Sequence, residues 1–229
     1  MDKNCILSYT LAMENKFDLK KAVLFDMDGT LLDTLTDLRI AVNEGLKTEG
    51  YPLRTQEEVR LFVGNGMKKL LERALPEGKP LGRVGEVFHA YYAKHGTDNT
   101  RPYEGIAELL AELKKRGVPM GVVSNKAEAA LRLLVEKIFP DTFLAVVGQR
   151  EDLPVKPHPA MAFAAMQAMK VQPEDCLFVG DSDVDFKTGQ NANIFTVCAL
   201  WGFRTEEELK AAGATEFAAT PKELLSYVK

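Results

Sequence analysis

Four short apolar runs recur after residue 101, "PMGVVSN", "FLAVVG", "DCLFVGDSD" and "IFTVCAL", and helical segments fill the gaps between them. "GIAELLAELKKRG", closed by Gly117, and "KAEAALRLLVEKIF" carry apolar residues at helical spacing; "HPAMAFAAMQAMK" and "DFKTGQNAN" complete the alternation. Strands that alternate with helices form a parallel sheet covered on both faces, so this rhythm predicts a doubly wound α/β fold. A further apolar run, Ala22 to Phe25, reads as a strand buried on both faces.

That first strand is separated from the others by a block with no strand signal between residues 33 and 98. Leu35, Leu38, Val42 and Leu46 form a helical stripe that Gly50 stops. Thr55 with Glu58 has the form of a capping box. "VGNG" (Val63 to Gly66) breaks the next helix, "MKKLLERAL" resumes it, and another runs from about Arg83 to Lys94. The expected organisation is an α/β core of residues 17–32 and 100–229, an inserted all-helical cap domain of 33–99, and an N-terminal extension of 1–16. The chain is expected to cross back near Asn99 to Tyr103, and Thr205 with Glu208, and Thr220 with Pro221 and Glu223, to open two late helices.

Hydrophobic residues at 46% and charged residues at 27% describe an ordinary folded chain, and a net charge of -4 gives no electrostatic reason to bind nucleic acid. No apolar run approaches the roughly 20 residues that span a bilayer. Neither nucleic acid nor a membrane is therefore expected as a partner, and either a monomer or a homodimer fits the sequence. Cys5, Cys176 and Cys198 lack metal spacing and read as reduced residues of a cytoplasmic protein. "MDKNCILSYTLAMENKF" carries too short an apolar stretch for a secretory signal, and Met13 is an alternative start.

The polar residues at the strand ends carry the chemistry. In "AVLFDMDGTLLD", Asp26 and Asp28 emerge at the carboxyl end of the first strand, followed by Gly29 and Thr30. Two carboxylates that close repel each other and resist desolvation, so a cation or a chemical task has to compensate them. "GVVSN" ends in Ser124 and Asn125, "VKPHP" supplies Lys156, and "VGDSDVD" supplies Asp181, Ser182, Asp183 and Asp185. Right-handed crossovers bring all these ends to one side of the sheet. Such a crevice suits a phosphate monoester: a divalent ion and Lys156 offset like charge, while hydroxyls and backbone N–H groups bind the phosphoryl oxygens. A carboxylate nucleophile would split one very slow displacement into two. Ser124 and Asn125 have a competing reading as caps of the next helix. His158 reads as a loop-shaping residue, and Met161, Phe163, Met166 and Met169 as core.

Taken in order, "DMDGTLLD", "VVSN", "VKPHP" and "VGDSDVD" resemble the four motifs of the haloacid dehalogenase-like hydrolase superfamily, over about Lys20 to Arg204. The resemblance implies that Asp26 is the nucleophile and also a ligand of Mg²⁺. Asp28 is implied as the general acid and base, with its backbone carbonyl on the metal. Ser124, Asn125, Lys156, Gly29 and Thr30 are implied to bind the phosphoryl group, Asp181 to ligate the metal directly, and Asp185 to act behind it; the role of Asp183 stays open. The acid at position 28 favours phosphate-ester chemistry over dehalogenation, and Thr30 favours a phosphatase over the β-phosphoglucomutase branch. "FVGNGMKKLLERAL" with "FVGDSDVD" is similar to bacterial phosphoglycolate phosphatases, and Ala192-Asn193 departs from the helix-ending Ala-Gly expected there. The implied function is a Mg²⁺-dependent phosphatase of a small phosphorylated metabolite, with 2-phosphoglycolate the leading candidate. A phosphomutase, or a phosphatase for sugar phosphates, nucleotides or pyrophosphate, is the alternative. Backbone N–H groups of Gly64, Asn65 and Gly66, with Lys68 or Lys69, are expected to select the substrate.

Overall fold

The computed structural model describes residues 19–229; the expected extension, with Cys5 and Met13, lies outside the described residues. In chain order the elements are β1 (Ala22–Phe25), β2 (Leu32–Asp33), α1 (Leu35–Thr48), α2 (Gln56–Phe62), α3 (Gly66–Ala74), α4 (Gly82–His95), β3 (Arg101–Pro102), α5 (Ile106–Lys115), β4 (Met120–Ala127) and α6 (Glu128–Ile138). They continue with β5 (Ala145–Gln149), α7 (Ala160–Met169), β6 (Cys176–Gly180), α8 (Asp183–Asn191), β7 (Phe195–Ala199), α9 (Glu206–Ala211) and β8 (Phe217–Ala218).

Six strands form one sheet in the order β5-β4-β1-β6-β7-β8. Every pairing within it is parallel, with Val23 opposite Met120 on one side and Leu177 on the other. The chain starts at the central strand, builds outward through β4 and β5, then returns to the other side through β6. The carboxyl ends of β1, β4 and β6 therefore flank the point where the strand order reverses, the place where such sheets leave a crevice. The doubly wound architecture is as the alternation predicts.

Both faces of the sheet are covered. Val23, Phe25 and Val122 pack with Ile106, Leu109, Leu131 and Leu134 of α5 and α6. Leu24, Val123 and Phe178 pack with Met161, Ala162, Ala165, Met166 and Met169 of α7. Phe163, expected in this core, is 45% exposed instead, because its position on α7 points away from the sheet. Cys176 and Cys198 are buried free thiols.

Helices α1 to α4 surround a separate apolar cluster that includes Leu38, Val42, Leu46, Leu71, Val84 and Phe88, into which Phe203 also reaches. The Thr55–Glu58 and Thr205–Glu208 capping boxes are both formed. The Thr220–Glu223 signal opens a 3-10 turn over Pro221–Ser226 rather than an α-helix. Asn193 adopts the left-handed conformation (φ 54°) that glycine would otherwise supply after α8.

Several side chains tie the helical layer to the sheet. The carboxylate of Asp37, buried near the start of α1, accepts hydrogen bonds from the backbone N–H groups of Asn99 and Thr100 and from both their side chains, fixing the return crossing. At the same crossing, β2 and β3 pair as a two-strand antiparallel ribbon that short polar sequence did not disclose. Arg204 donates to the carbonyls of Arg60 and Val63, holding the end of α2 and the turn after it against the loop that follows β7. Asn125 completes the arrangement by donating to the carbonyl of Gly64. The Gly64–Gly66 turn is thereby pinned above the carboxyl end of β4.

Candidate active site

Residues that lie up to 159 positions apart in sequence meet at this edge: Asp26 and Asp28 after β1, Ser124 to Lys126 at the end of β4, Lys156 before α7, and Asp181 and Asp185 after β6. Lys156 is the central cation. Its Nζ lies 2.8 Å from Asp26 Oδ1 and 2.6 Å from Asp185 Oδ1, with 2% of the side chain exposed. Burial disfavours its charge, but Asp185 and Asp26 outweigh that and hold its pKa above the usual lysine value.

One carboxylate oxygen from each of Asp26, Asp181 and Asp185 falls within 4.8 Å of the others. Asp26 Oδ1 makes its ion pair with Lys156 outside hydrogen-bond geometry, so this buried oxygen has charge compensation and no hydrogen bond. Burial, then the charge of Asp185, raise the pKa of Asp26; burial, then Asp185 and Asp26, do the same to Asp181. When all four are ionised, Asp26, Asp28, Asp181 and Asp185 face two ammonium groups, those of Lys126 and Lys156, an excess of two negative charges. Closely spaced hard oxygen donors with that excess fit a divalent cation of the Mg²⁺ type.

This fit has a thermal consequence. In the folded, metal-free protein Asp26 and Asp181 favour their protonated forms, whereas unfolded aspartate titrates near pH 4. Their contribution to stability is therefore full below about pH 4 and is lost as pH rises through the raised folded values. A divalent ion removes this penalty where it is largest. Added Mg²⁺ is expected to raise the melting temperature of chelator-treated protein more at pH 8 than at pH 5.5; equal increments would remove Asp26 and Asp181 as its ligands.

The surrounding residues orient the carboxylates. Thr30 donates to Asp181 Oδ1 at 3.1 Å and Phe203 N–H to Asp181 Oδ2 at 2.7 Å, so the Thr30 hydroxyl serves the carboxylate rather than open space. Ser182 N–H donates to Asp185 Oδ2 at 3.1 Å, and Ser182 and Asp185 form the capping box of α8. Gly29 has φ +90° and its N–H donates to the carbonyl of Leu32. Gly202 is required by proximity: a Cβ there would stand 2.2 Å from Asp181 Cβ and 2.4 Å from the Gly29 carbonyl. Gly202→Ala should cost about 1–3 kcal/mol by overpacking and displace Asp181, lowering both melting temperature and Mg²⁺ affinity. An unchanged metal affinity would show that the loop yields without moving the carboxylate.

A cavity of about 40 Å³ opens beside Asp26, lined by Asp28, Ser124, Lys126, Lys156, Gly64 and Gly66 among others. Ser124 and Asn125 both border it. Asn125 is no helix cap: it accepts from Lys156 N–H and donates to the carbonyl of Lys156, locking the lysine loop onto β4. The expected selection residues separate. Gly64 and Gly66 line the cavity, Asn65 Oδ1 accepts from Arg73, and Lys68 is exposed on α3, with Glu72 4.0 Å away. Lys69 pairs with Glu72. Asp183 pairs with Lys187 at the surface, and His158 accepts from Ala160 N–H, shaping its loop.

Lys126 is the residue that sequence reasoning missed. The run "KAEAALRLLVEKIF" reads as a helix that starts at this lysine, but β4 continues to Ala127, which pairs with Gln149, and α6 begins only at Glu128. The Lys126 ammonium turns inward, 3.1 and 3.2 Å from the Asp28 carboxylate and 3.0 Å from the Tyr92 hydroxyl of α4. The available signal was a lysine two residues after the strand-end Ser124.

A Rossmann-like sheet with an aspartate pair on its central strand and a lysine-bridged acidic cluster beside it defines an α/β enzyme built to manage concentrated negative charge. The family model described as haloacid dehalogenase-like hydrolase matches residues 23–199, and the chain belongs to that family. It is 35% identical over 189 residues to the phosphoglycolate phosphatase of Nitrosococcus oceani, covering 79% of this chain and 84% of that protein. It is 33% identical to the phosphoglycolate phosphatase of Aquifex aeolicus, covering 80% and 86% of the two chains. Among solved structures, a protein of Lactobacillus delbrueckii subsp. bulgaricus with a provisional phosphoglycolate phosphatase name superimposes with a TM-score of 0.83 at 33% identity, over 90% of this chain and 97% of that one. Among the described residues, no helix is long and apolar enough to cross a membrane.

Proposed function

We propose that the protein is a phosphatase that hydrolyses small phosphate monoesters through a phosphoryl group carried on Asp26, with Mg²⁺ as its metal and 2-phosphoglycolate as its preferred substrate. The observation that carries this reading is the Lys156 ammonium held between Asp26 and Asp185 at the reversal point of the sheet, with Asp181 alongside.

In the proposed cycle a carboxylate oxygen of Asp26 attacks phosphorus, and the bond from phosphorus to the ester oxygen breaks. Asp28 donates the proton that the leaving alkoxide needs. Asp28 then takes a proton from water as that water attacks phosphorus, the bond to Asp26 breaks, and inorganic phosphate leaves with the Asp26 carboxylate restored. Ser124 and Lys156 hold the phosphoryl oxygens, and Asn125 keeps Lys156 in place. Asp26 and Asp181, with the backbone carbonyl of Asp28, would hold the divalent ion, and Asp185 would orient Lys156 from behind. When bound, that ion offsets the charge of the phosphoryl group during transfer.

Helices α1 to α4 (within residues 33–99) act as the cap on a core of 17–32 and 100–229. The small volume under the Gly64–Gly66 turn, room for a few water-sized groups, favours a compact substrate over a nucleotide. Release of inorganic phosphate from 2-phosphoglycolate, sugar phosphates, nucleotides and pyrophosphate, each with and without Mg²⁺, tests the reading. The highest kcat/KM is expected for 2-phosphoglycolate with Mg²⁺. Conversion of a sugar phosphate to an isomer without free phosphate, or full activity in chelator, would overturn it.

A further inference from the structure

Lys126 has no part in the cycle above, yet it is as deeply buried as Lys156, with 4% of its side chain exposed. The two lysines are partnered differently. Lys156 sits between two carboxylates, whereas Lys126 has one carboxylate, Asp28, and one neutral hydroxyl, Tyr92. The ring of Tyr92 also lies 5.1 Å from its ammonium. A strongly hydrated ammonium is costly to bury, and Lys126, paired with one carboxylate where Lys156 has two, also borders the cavity, where a ligand anion can reach it.

The position fits. Both ammonium groups line the small cavity beside Asp26, and Lys126 lies two residues beyond Ser124 along β4, about 6–7 Å further on. A ligand whose phosphoryl group rests on Asp26, Ser124 and Lys156 extends its remaining atoms toward Lys126. A second, wider cavity of about 440 Å³ shares Met67 and Lys126 with the small one and is bordered by Tyr92, Lys68, His89 and Arg150. Glu151 borders it too, and Arg150 is held by Glu128 and Asp152, so the cation an incoming anion meets at the inner end is Lys126. Lys68, 78% exposed, is too well hydrated to impose much preference itself.

We infer that Lys126, oriented by Tyr92, is the specificity-determining residue that binds the carboxylate of the substrate, so that the enzyme selects small phosphorylated hydroxy acids whose carboxylate sits one carbon from the ester oxygen. This rests on the phosphatase reading. It assigns the selection to β4 and α4 rather than to the lysines of α3.

The test compares kcat/KM for 2-phosphoglycolate and for ethyl phosphate, which has a methyl group in place of the carboxylate, in wild type, Lys126→Met, Lys126→Arg and Tyr92→Phe. Wild type is expected to prefer 2-phosphoglycolate. In Lys126→Met that preference falls by about 10- to 100-fold, the scale of a hydrogen-bonded charge pair. Lys126→Arg, which keeps the charge, retains part of the preference, and Tyr92→Phe lowers it several-fold. Should Lys126→Met fail to fold, the arginine and phenylalanine variants decide alone, and an unchanged preference in both overturns the inference. Equal loss on both substrates in Lys126→Met makes the lysine a positioning residue for Asp28 and also overturns it. If wild type hydrolyses both esters without preference, the inference fails while the phosphatase reading stands; if it hydrolyses neither, both fail.

Discussion

Asp26→Asn is expected to release phosphate at least about 10³-fold more slowly than wild type, because the amide cannot serve as the attacking oxygen. The loss should appear in kcat, and no phosphoryl group should be trapped on the protein when turnover is quenched in acid. The same variant separates catalysis from folding. It removes one of three crowded carboxylates and leaves Lys156 paired with Asp185. In chelator it is therefore expected to melt no lower than wild type, and less sensitively to pH between 5.5 and 8. An asparagine variant that turns over normally would remove Asp26 from the reaction, whatever its melting behaviour.

Lys156→Met should produce the largest change in stability. It leaves Asp26 and Asp185 buried without their cation, and removing one partner of a buried pair costs about 3–5 kcal/mol. For a chain of this size that corresponds to roughly 10 °C in melting temperature. The sign with pH follows from the carboxylates. The lysine charge persists throughout the accessible range, since its pKa is raised. Removing it drives the folded pKa of Asp26 further up, so the deficit should be larger at pH 8 than at pH 5.5. Mg²⁺ should recover part of it. A shift of under about 2 °C in metal-free protein would mean that the cluster is better hydrated than its burial indicates.

The parallel sheet was legible because each strand is an apolar run that ends in polar residues, and such runs have no stable place except between two covered faces. The helices were legible from spacing, and several of their ends from chemistry: the two Thr/Glu capping boxes form, and Gly50, Gly117 and Asn193 take left-handed turns. Local signals failed where a competing contact decided the outcome. The lysine after Ser124-Asn125 reads as a solvated helix start, yet contacts with Asp28 and Tyr92 keep β4 extended through it. Asn125 reads equally well as a cap, yet Lys156 and Gly64, far away in sequence, claim its amide. Phe163 shares its periodicity with the buried methionines of α7 and still points outward.

The order and chemistry of the strand-end residues belong to the sequence: a carboxylate pair after β1, a lysine before α7 and a second acidic group after β6 could be read as charges in need of one another. Only the folded chain decided how those charges are shared. Residues 26, 126, 156 and 185 are remote along the backbone, so their separations depend on how the strands are ordered and on which side chains lose contact with water. Desolvation makes each pairing strong, and desolvation is a property of the packed molecule.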